Sequence, residues 1–319
     1  MLVTGGAGFI GHKLVARLVD LGANVTVLDD LSKGSQENLA PYLERIRFVQ
    51  TDLLNPVALK KALVTCQVCF HLAAKLGGIG FFHMMPATIL RDNSIINFNL
   101  WDAIAKADVK MVCLSSSMVF ERATTFPTAE TAVEMSPPPK TGYGFSKLLS
   151  EYIARTYHEE FGVKYLIVRP FNVYGEGELP GEYVGYGHVI PDLIGKILGG
   201  QYPLEILGSG EQTRCYTYVD DVVDGMLLVA AKTQNDDFNI GTNKETTVIE
   251  LAEKIWRICG RKEPIRFERV AGYRDDVQRR VPDVSKMMKL GWTPKTSLDE
   301  GLRKTIAWTK MQDRKHLPP

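Results

Sequence analysis

TGGAGFIG, residues 4–11, stands between one short apolar run, MLV, and an amphipathic stretch, HKLVARLVDLG. Glycines at 5, 8 and 11 give the pattern G-x-x-G-x-x-G at a strand-to-helix junction, the context a dinucleotide fingerprint requires. Gly5 permits a tight turn, Gly8 lets the backbone approach a pyrophosphate, and Gly11 lets the helix pack close to the strand. Phe9 and Ile10 complete that cofactor-binding turn, and the helix N-terminus faces the phosphates. Asp29 closes the next apolar run, NVTVLDD, eighteen residues after Gly11 and followed by Asp30. A carboxylate there accepts hydrogen bonds from a ribose diol and repels a 2′-phosphate, so the expected cofactor is NAD rather than NADP. Lys33 is the one nearby charge that works against this preference. The plainer alternative is a glycine turn in a fold without cofactor.

The rest of the first half repeats the alternation. IRFVQTD, VCFHLAA, KMVCLSS and KYLIVRPFNVYG read as further strands, separated by helical patterns such as PVALKKALVT. Apolar strands spaced by helices predict a Rossmann-type, doubly wound parallel sheet covered on both faces. The first strand is short: either the sheet starts abruptly or the natural start lies upstream. After about residue 172 the alternation breaks down. GEGELPGEYVGYG reads as a mobile loop, and HVIPDLIGKILGG, YVDDVVDGMLLVAAK and TVIELAEKIWRICG read as helices mixed with single strands. We therefore expect an NAD-binding domain over 1–172 and, over 173–319, a smaller mixed α/β substrate-binding lobe, with some segments returning to the first domain. Asp52, which ends the third strand, either meets the adenine edge or caps the following helix.

Bulk composition excludes little. The 319 residues are 45% hydrophobic and 24% charged, with a formal net charge of +1. That balance favours neither nucleic acid nor an anionic membrane as partner. No apolar run has the length of a bilayer span, and the N-terminus lacks the basic flank and apolar core of a signal peptide. Five cysteines suit a reducing compartment, so a cytoplasmic location is expected. Cys66 and Cys69 form a CxxC, but a tetrahedral metal site needs two further ligands. Buried strand cysteines are the better reading, and no metal is expected.

Tyr143 and Lys147, in TGYGFSKLLSEYI, lie four residues apart on a predicted helix and so share one face. An ammonium beside a phenol lowers the phenol's pKa, which makes the tyrosine a base near neutral pH. The spacing alone is weak, because the chain has twelve tyrosines. It gains weight from the serine series SSSMVF at 115–120 and the fingerprint upstream.

TGGAGFIG, Asp29, FHLAA, SSS-x-V, YxxxK and RPFNVYG together resemble the extended short-chain dehydrogenase/reductases that act on nucleotide sugars. AAKLGGIGF (73–81) and HVIP (188–191) look most like GDP-L-fucose synthase and the GDP-mannose 3,5-epimerases, which favours a GDP-sugar over a UDP-sugar. QTRCYTYVDD, NIGTNKE and LGWTPKTSLDEGL match the common carboxy-terminal pattern. The resemblance implies that Tyr143 exchanges a proton with a sugar hydroxyl, usually at C4, while Lys147 holds the nicotinamide ribose and Ser116 binds the same sugar oxygen. It implies cofactor contacts from Asp52, Leu53, Leu72, Ala73, Ala74, Lys75 and Asn93. Gly78, Ser117 and Asn172 are implied on the substrate side, with Asn172 holding the sugar or its phosphate. Arg214 would grip the pyrophosphate, a role suited to a forked guanidinium. Arg274 is the expected second contact, with Arg279 and Arg280 competing for it. A structural ion pair with the following Asp220–Asp221 is the alternative for Arg214.

The two GDP-sugar families use a cysteine two residues after the serine, and a lysine or histidine in the later loop. His188 stands at the second position, but Met118 occupies the first, and a thioether neither gives nor takes a proton usefully. Phe120 replaces the usual tyrosine. The expected function is an NAD-dependent nucleotide-sugar epimerase working by transient oxidation at C4. A reductase of a GDP-4-keto-6-deoxy-sugar, or a 3,5-epimerase, using His188 is the alternative, and a non-catalytic NAD-sensing regulator the minor one. In the resemblance, helices near 86–108 and 143–161 pack into a homodimer's four-helix bundle; the apolar face of ATILRDNSIINFNLWDAI permits this, or else meets the sheet.

Overall fold

The computed structural model describes residues 1–57, 59, 63, 66–178, 180, 187–273 and 276–315. Seven parallel strands form the central sheet: β1 (Leu2–Thr4), β2 (Val25–Asp29), β3 (Ile46–Gln50), β4 (Val68–His71), β5 (Lys110–Leu114), β6 (Tyr165–Pro170) and a last strand, Asp236–Ile240. Their spatial order is Asp236–Ile240, β6, β5, β4, β1, β2, β3. The six strands read from the sequence are the first six of this sheet. Asp236–Ile240 pairs with β6 in parallel register, Phe238 opposite Val168.

Alternation along the strands sends side chains to two cores. Val3, Val27, Phe70, Val112, Leu166 and Val168 meet helix α1 (Phe9–Asp20) and the helix Val219–Lys232. Leu2, Leu28, Cys69, Met111, Cys113 and Ile167 face the other way, onto Leu100, Trp101, Ile104 and Ile153 of the helices Pro86–Ile104 and Gly142–Phe161. A parallel sheet clothed on both faces explains why β4 to β6 read as unbroken apolar runs. Cys69 is one of these buried strand residues, whereas Cys66 precedes β4 and is only half-buried.

The helix Pro86–Ile104 buries one face, from Ile89 through Asn93 and Asn97 to Ile104, while Ile95 and Phe98 remain exposed. Beyond β6, Ile190, Leu193, Ile194, Leu204, Leu251, Ile255 and Trp256 gather into a separate apolar cluster. There Thr213–Arg214 runs between Thr246–Thr247 and Arg279–Arg280, with Arg214 opposite Arg280. Of the GEGELPGEYVGYG segment, residues 179 and 181–186 lie outside the described residues, as does most of PVALKKALVT. No helix among the described residues is long and apolar enough to cross a membrane.

Candidate active site

Parallel strands end on one edge, so the loops after β1 to β6 gather the predicted site residues there. The strand order changes direction between β4 and β1, the place where doubly wound sheets bind ligands. The turn after β1 is built on glycine. Gly5 has φ +69°, and a Cβ there would stand 2.8 Å from the Ala73 nitrogen. A Cβ on Gly11 would lie 2.0 Å from the Gly5 carbonyl oxygen, so α1 begins against the strand only because that position is bare. Phe9 and Ile10 open the helix behind Gly8.

Asp29 is buried at the end of β2, where its Oδ2 accepts the Ala7 N–H and its Oδ1 the Leu31 N–H, both at 2.9 Å. Burial raises its pKa, against those two hydrogen bonds. Asp30 turns away to hold Ser32. Asp52 is exposed after β3 and accepts the Leu54 N–H at 2.8 Å, making a turn, with Leu53 buried behind it. Leu72, Ala73, Ala74 and Lys75 follow β4. Asn93 braces that loop: its Oδ1 accepts the Lys75 N–H at 2.6 Å, and its Nδ2 donates to the Lys75 carbonyl and to Ser146 Oγ, both at 3.1 Å. Lys33 reaches across to donate to the Leu76 carbonyl at 2.7 Å. A bare glycine turn, a buried carboxylate at the second strand and a braced fourth-strand loop fit a dinucleotide.

The helix Gly142–Phe161 starts at Thr141, whose Oγ1 accepts the Gly144 N–H at 3.1 Å. Glu121 Oε2 accepts from Thr141 Oγ1 at 2.8 Å, so a buried carboxylate stands at the positive end of this helix. Tyr143 and Lys147 are both buried on its inner face. Lys147 Nζ donates to the Leu114 carbonyl at 2.7 Å and lies 5.9 Å from the centre of the Tyr143 ring. Ser116 faces the phenol and accepts the Met118 N–H at 3.2 Å, while Ser117 is buried in the turn that follows.

The electrostatics correct one expectation. The sequence reading has Lys147 pull the phenol down, whereas burial dominates and raises Tyr143 to about 12. The Ser116 hydrogen bond and then the Arg280 charge pull the other way. Lys147 is itself lowered to about 8, again by burial. His71, at the end of β4, shares a 2.8 Å hydrogen bond with Thr4 Oγ1; burial and then the Lys147 charge drive it to about 3, so it is neutral.

The arginines read as candidate phosphate contacts separate. Arg274 lies outside the described residues. Arg279 points outward and pairs with Glu245 at 2.7 Å. Arg280 points inward, its Nη2 3.0 Å from Met118 Sδ, and its buried Nε has no hydrogen-bond partner among the described residues. Burial and then the Arg214 charge lower it to about 9, which leaves it charged at neutral pH. Arg214 pairs at 2.9 Å with Asp276, not with Asp220 or Asp221; Asp221 instead accepts the Lys295 and Thr296 N–H groups. Asn172 has φ +41° and donates to the Cys215 carbonyl at 3.4 Å.

His188 is the N-cap of the helix Val189–Leu198, with a half-exposed side chain hydrogen-bonded through Nδ1 to Glu178. The Glu178 charge raises the imidazole's pKa against burial. Gly78 caps the short helix Ile79–Met84. That helix carries two residues the sequence reading does not find. The Phe82 ring stacks on Tyr143 with centres 4.4 Å apart and planes within 5°, and His83 stacks on Tyr273 at 5.0 Å. Neither has a sequence signal, since their partners lie 61 and 190 residues away.

Comparison with known proteins matches this arrangement to a family pattern over residues 1–241, that of the NAD dependent epimerase/dehydratase family. The chain belongs to that family. A putative UDP-glucose 4-epimerase of Methanocaldococcus jannaschii is 33% identical over 323 residues, 98% of this chain and 99% of that protein. UDP-glucuronic acid decarboxylase 1 of Arabidopsis thaliana is 30% identical over 312 residues, 96% of this chain and 69% of the relative. Among solved structures, the UDP-glucose 4-epimerase of Thermotoga maritima with UDP-glucose superposes with a TM-score of 0.87 at 34% identity, covering 98% of both chains. The relatives' names thus span epimerisation and decarboxylation of UDP-sugars.

Proposed function

We propose that this chain is a nucleotide-sugar 4-epimerase that oxidises the sugar at C4, lets the 4-keto sugar turn, and reduces it from the other face. The observation that carries this reading is the Ser116–Tyr143 hydroxyl pair beside Lys147, with Met118 two residues after Ser116 and against Arg280. Eliminating water from the sugar, or moving a proton at C3 or C5, needs acids and bases placed at those atoms. Residues 115–120 supply hydroxyls, a thioether and apolar groups, but no carboxyl.

In this reading the turn Gly5–Gly11 holds the NAD pyrophosphate, Asp29 the ribose diol, and Lys147 the nicotinamide ribose. NAD, when bound, would supply the hydride acceptor and a positive ring that opposes the upward pull of burial on the phenol. Tyr143 takes the C4 hydroxyl proton and returns it on the other face, with Ser116 hydrogen-bonded to the same oxygen. Phe82 keeps the Tyr143 ring in plane. Arg280, charged and short of partners, takes the diphosphate of the substrate, with Arg214 held beside it by Asp276. Asn172, Gly78 and Ser117 complete the sugar's surroundings.

The names of the relatives favour a UDP-sugar over the GDP-sugar that AAKLGGIGF and HVIP point to. Exposed Ile95, Phe98, Phe145 and Tyr152 on the helices Pro86–Ile104 and Gly142–Phe161 support a homodimer through this face. A second reading, reduction or C3/C5 exchange by His188, draws on the Glu178 contact, which keeps the imidazole in its acid form to higher pH. The test is a panel of UDP- and GDP-sugars given to the purified protein. C4 epimers should interconvert without net consumption of cofactor, and Tyr143→Phe should lower kcat on the order of 10²–10⁴-fold. Stoichiometric consumption of reduced cofactor would overturn epimerisation in favour of the reductase.

A further inference from the structure

Behind the reacting groups lies an ion pair that the proposed chemistry does not use. Arg169 of β6 is fully buried and Glu151 is 1% exposed. Glu151 accepts from Arg169 through both oxygens, Oε1 from Nε at 2.8 Å and Oε2 from Nη2 at 2.6 Å. The same Nη2 donates to Asp237 of the last strand at 2.7 Å. Ser115 Oγ donates to Glu151 Oε1 at 2.5 Å. Arg169 Nη1 is buried without a hydrogen-bond partner among the described residues, and the guanidinium lies 5.2 Å from the Phe120 ring centre.

Taking two charges out of water costs several kcal/mol per ion, and apolar residues of the same volume in such places are commonly no less stable. Stability alone therefore gives no reason for this pair, whereas direction does. A forked guanidinium bonded twice to one carboxylate fixes distance and angle, which apolar contacts do not. The fixed object is the strand exit that carries Ser116. Leu114, Ser115 and Ser116 are consecutive, and each meets one residue of a single helical stripe: Leu114 O accepts from Lys147, Ser115 Oγ donates to Glu151, and Ser116 bonds Tyr143. Positions 143, 147 and 151 follow one another at successive turns. On the other side, Ser115 N donates to the Val168 carbonyl at 2.8 Å, next to Arg169.

We infer that Glu151 and Arg169 are a positioning pair: through Ser115 they hold the strand exit and the Tyr143 helix at the one relative height at which Ser116 and Tyr143 meet the same sugar oxygen. Neither touches substrate. The inference rests on the epimerase reading only in taking Ser116, Tyr143 and Lys147 as the reacting groups.

Ser115→Ala cuts the side-chain hydrogen bond between Glu151 and the serine strand while leaving the ion pair in place. The expected result is a fall in kcat of about tenfold, with KM and Tm unchanged and NAD retained. The double variant Glu151→Leu/Arg169→Met replaces the pair by apolar groups and should keep or raise Tm while losing kcat by about 10–100-fold. Activity that tracks Tm, or a Ser115→Ala enzyme with kcat within twofold of the parent, would overturn the inference. If the double variant does not fold, Ser115→Ala alone decides. Each comparison is a ratio to the parent on whichever nucleotide sugar the parent turns over. A parent without turnover on any sugar counts against the epimerase reading, whereas an unchanged ratio counts against the positioning pair.

Discussion

Arg280→Met should make the protein more stable and a worse binder of its substrate at the same time. Burial chiefly drives the Arg280 guanidinium down to about 9, and its Nη2 lies 3.0 Å from a thioether, Met118 Sδ. Each pH unit of that displacement corresponds to about 1.4 kcal/mol against the charged form. The residue keeps partial access to solvent, which screens much of it, so the cation costs on the order of 2 kcal/mol in the unliganded protein. Methionine keeps the aliphatic stem against Met118 and removes the charge. Tm should therefore rise by several degrees, at about 2 °C per kcal/mol for a chain of this length. A charge-assisted hydrogen bond to a diphosphate is worth about 1.5–3 kcal/mol, so UDP should bind roughly 10–150-fold more weakly. Thermal melts of the ligand-free variant, paired with calorimetric titration of UDP, read both quantities. A variant that melts lower and binds UDP as tightly as the parent would refute the reasoning, because Arg280 would then be structural.

Three further outcomes follow from the site. His71 is neutral when folded, at about 3, but takes a proton below 6.5 once unfolded; its contribution is full above pH 6.5 and is lost as pH falls toward 3, by about 1.4 kcal/mol per unit. Urea midpoints should fall between pH 6.5 and 4.5, and His71→Gln should flatten that slope; an equal slope in the variant would discard the assignment. Gly11→Ala sets a Cβ 2.0 Å from a backbone oxygen, so it should cost about 3 kcal/mol or more and abolish NAD retention, read by absorbance of the purified protein. Phe82→Ala removes a ring stacked on Tyr143 and should lower stability by about 3 kcal/mol and kcat by about tenfold; unchanged kcat would separate Phe82 from Tyr143.

The strands, the glycine turn, Asp29 and the Tyr143–Lys147 face are legible in the sequence because each is local. A strand announces itself by apolar runs and turn residues, and a helical stripe by spacing four. The seventh strand, Asp236–Ile240, is different: three of its five residues are polar, and it pairs with β6 some seventy residues earlier. The choice between Arg279 and Arg280 is also invisible. Adjacent residues of an extended segment point to opposite sides, and only the pairing beside Thr213–Arg214 fixes which one faces Met118. Lys147 misleads for a related reason. Spacing places the ammonium near the phenol, but burial, which depends on the whole fold, sets the sign for Tyr143. Arg214 finds Asp276 rather than its neighbours at 220–221, which open the helix Val219–Lys232 and meet Lys13 and the Lys295 and Thr296 N–H groups instead.

The proposed chemistry stops at C4, because Met118 occupies the position that is a cysteine in the GDP-sugar families the chain resembles. The most direct measurement is proton NMR in D₂O of the enzyme with the nucleotide sugar it turns over. The account predicts inversion at C4 with the C3 and C5 protons fully retained, and gain of exchange at C3 or C5 only in Met118→Cys. Deuterium at C3 or C5 in the parent reaction would contradict it and assign that exchange to His188.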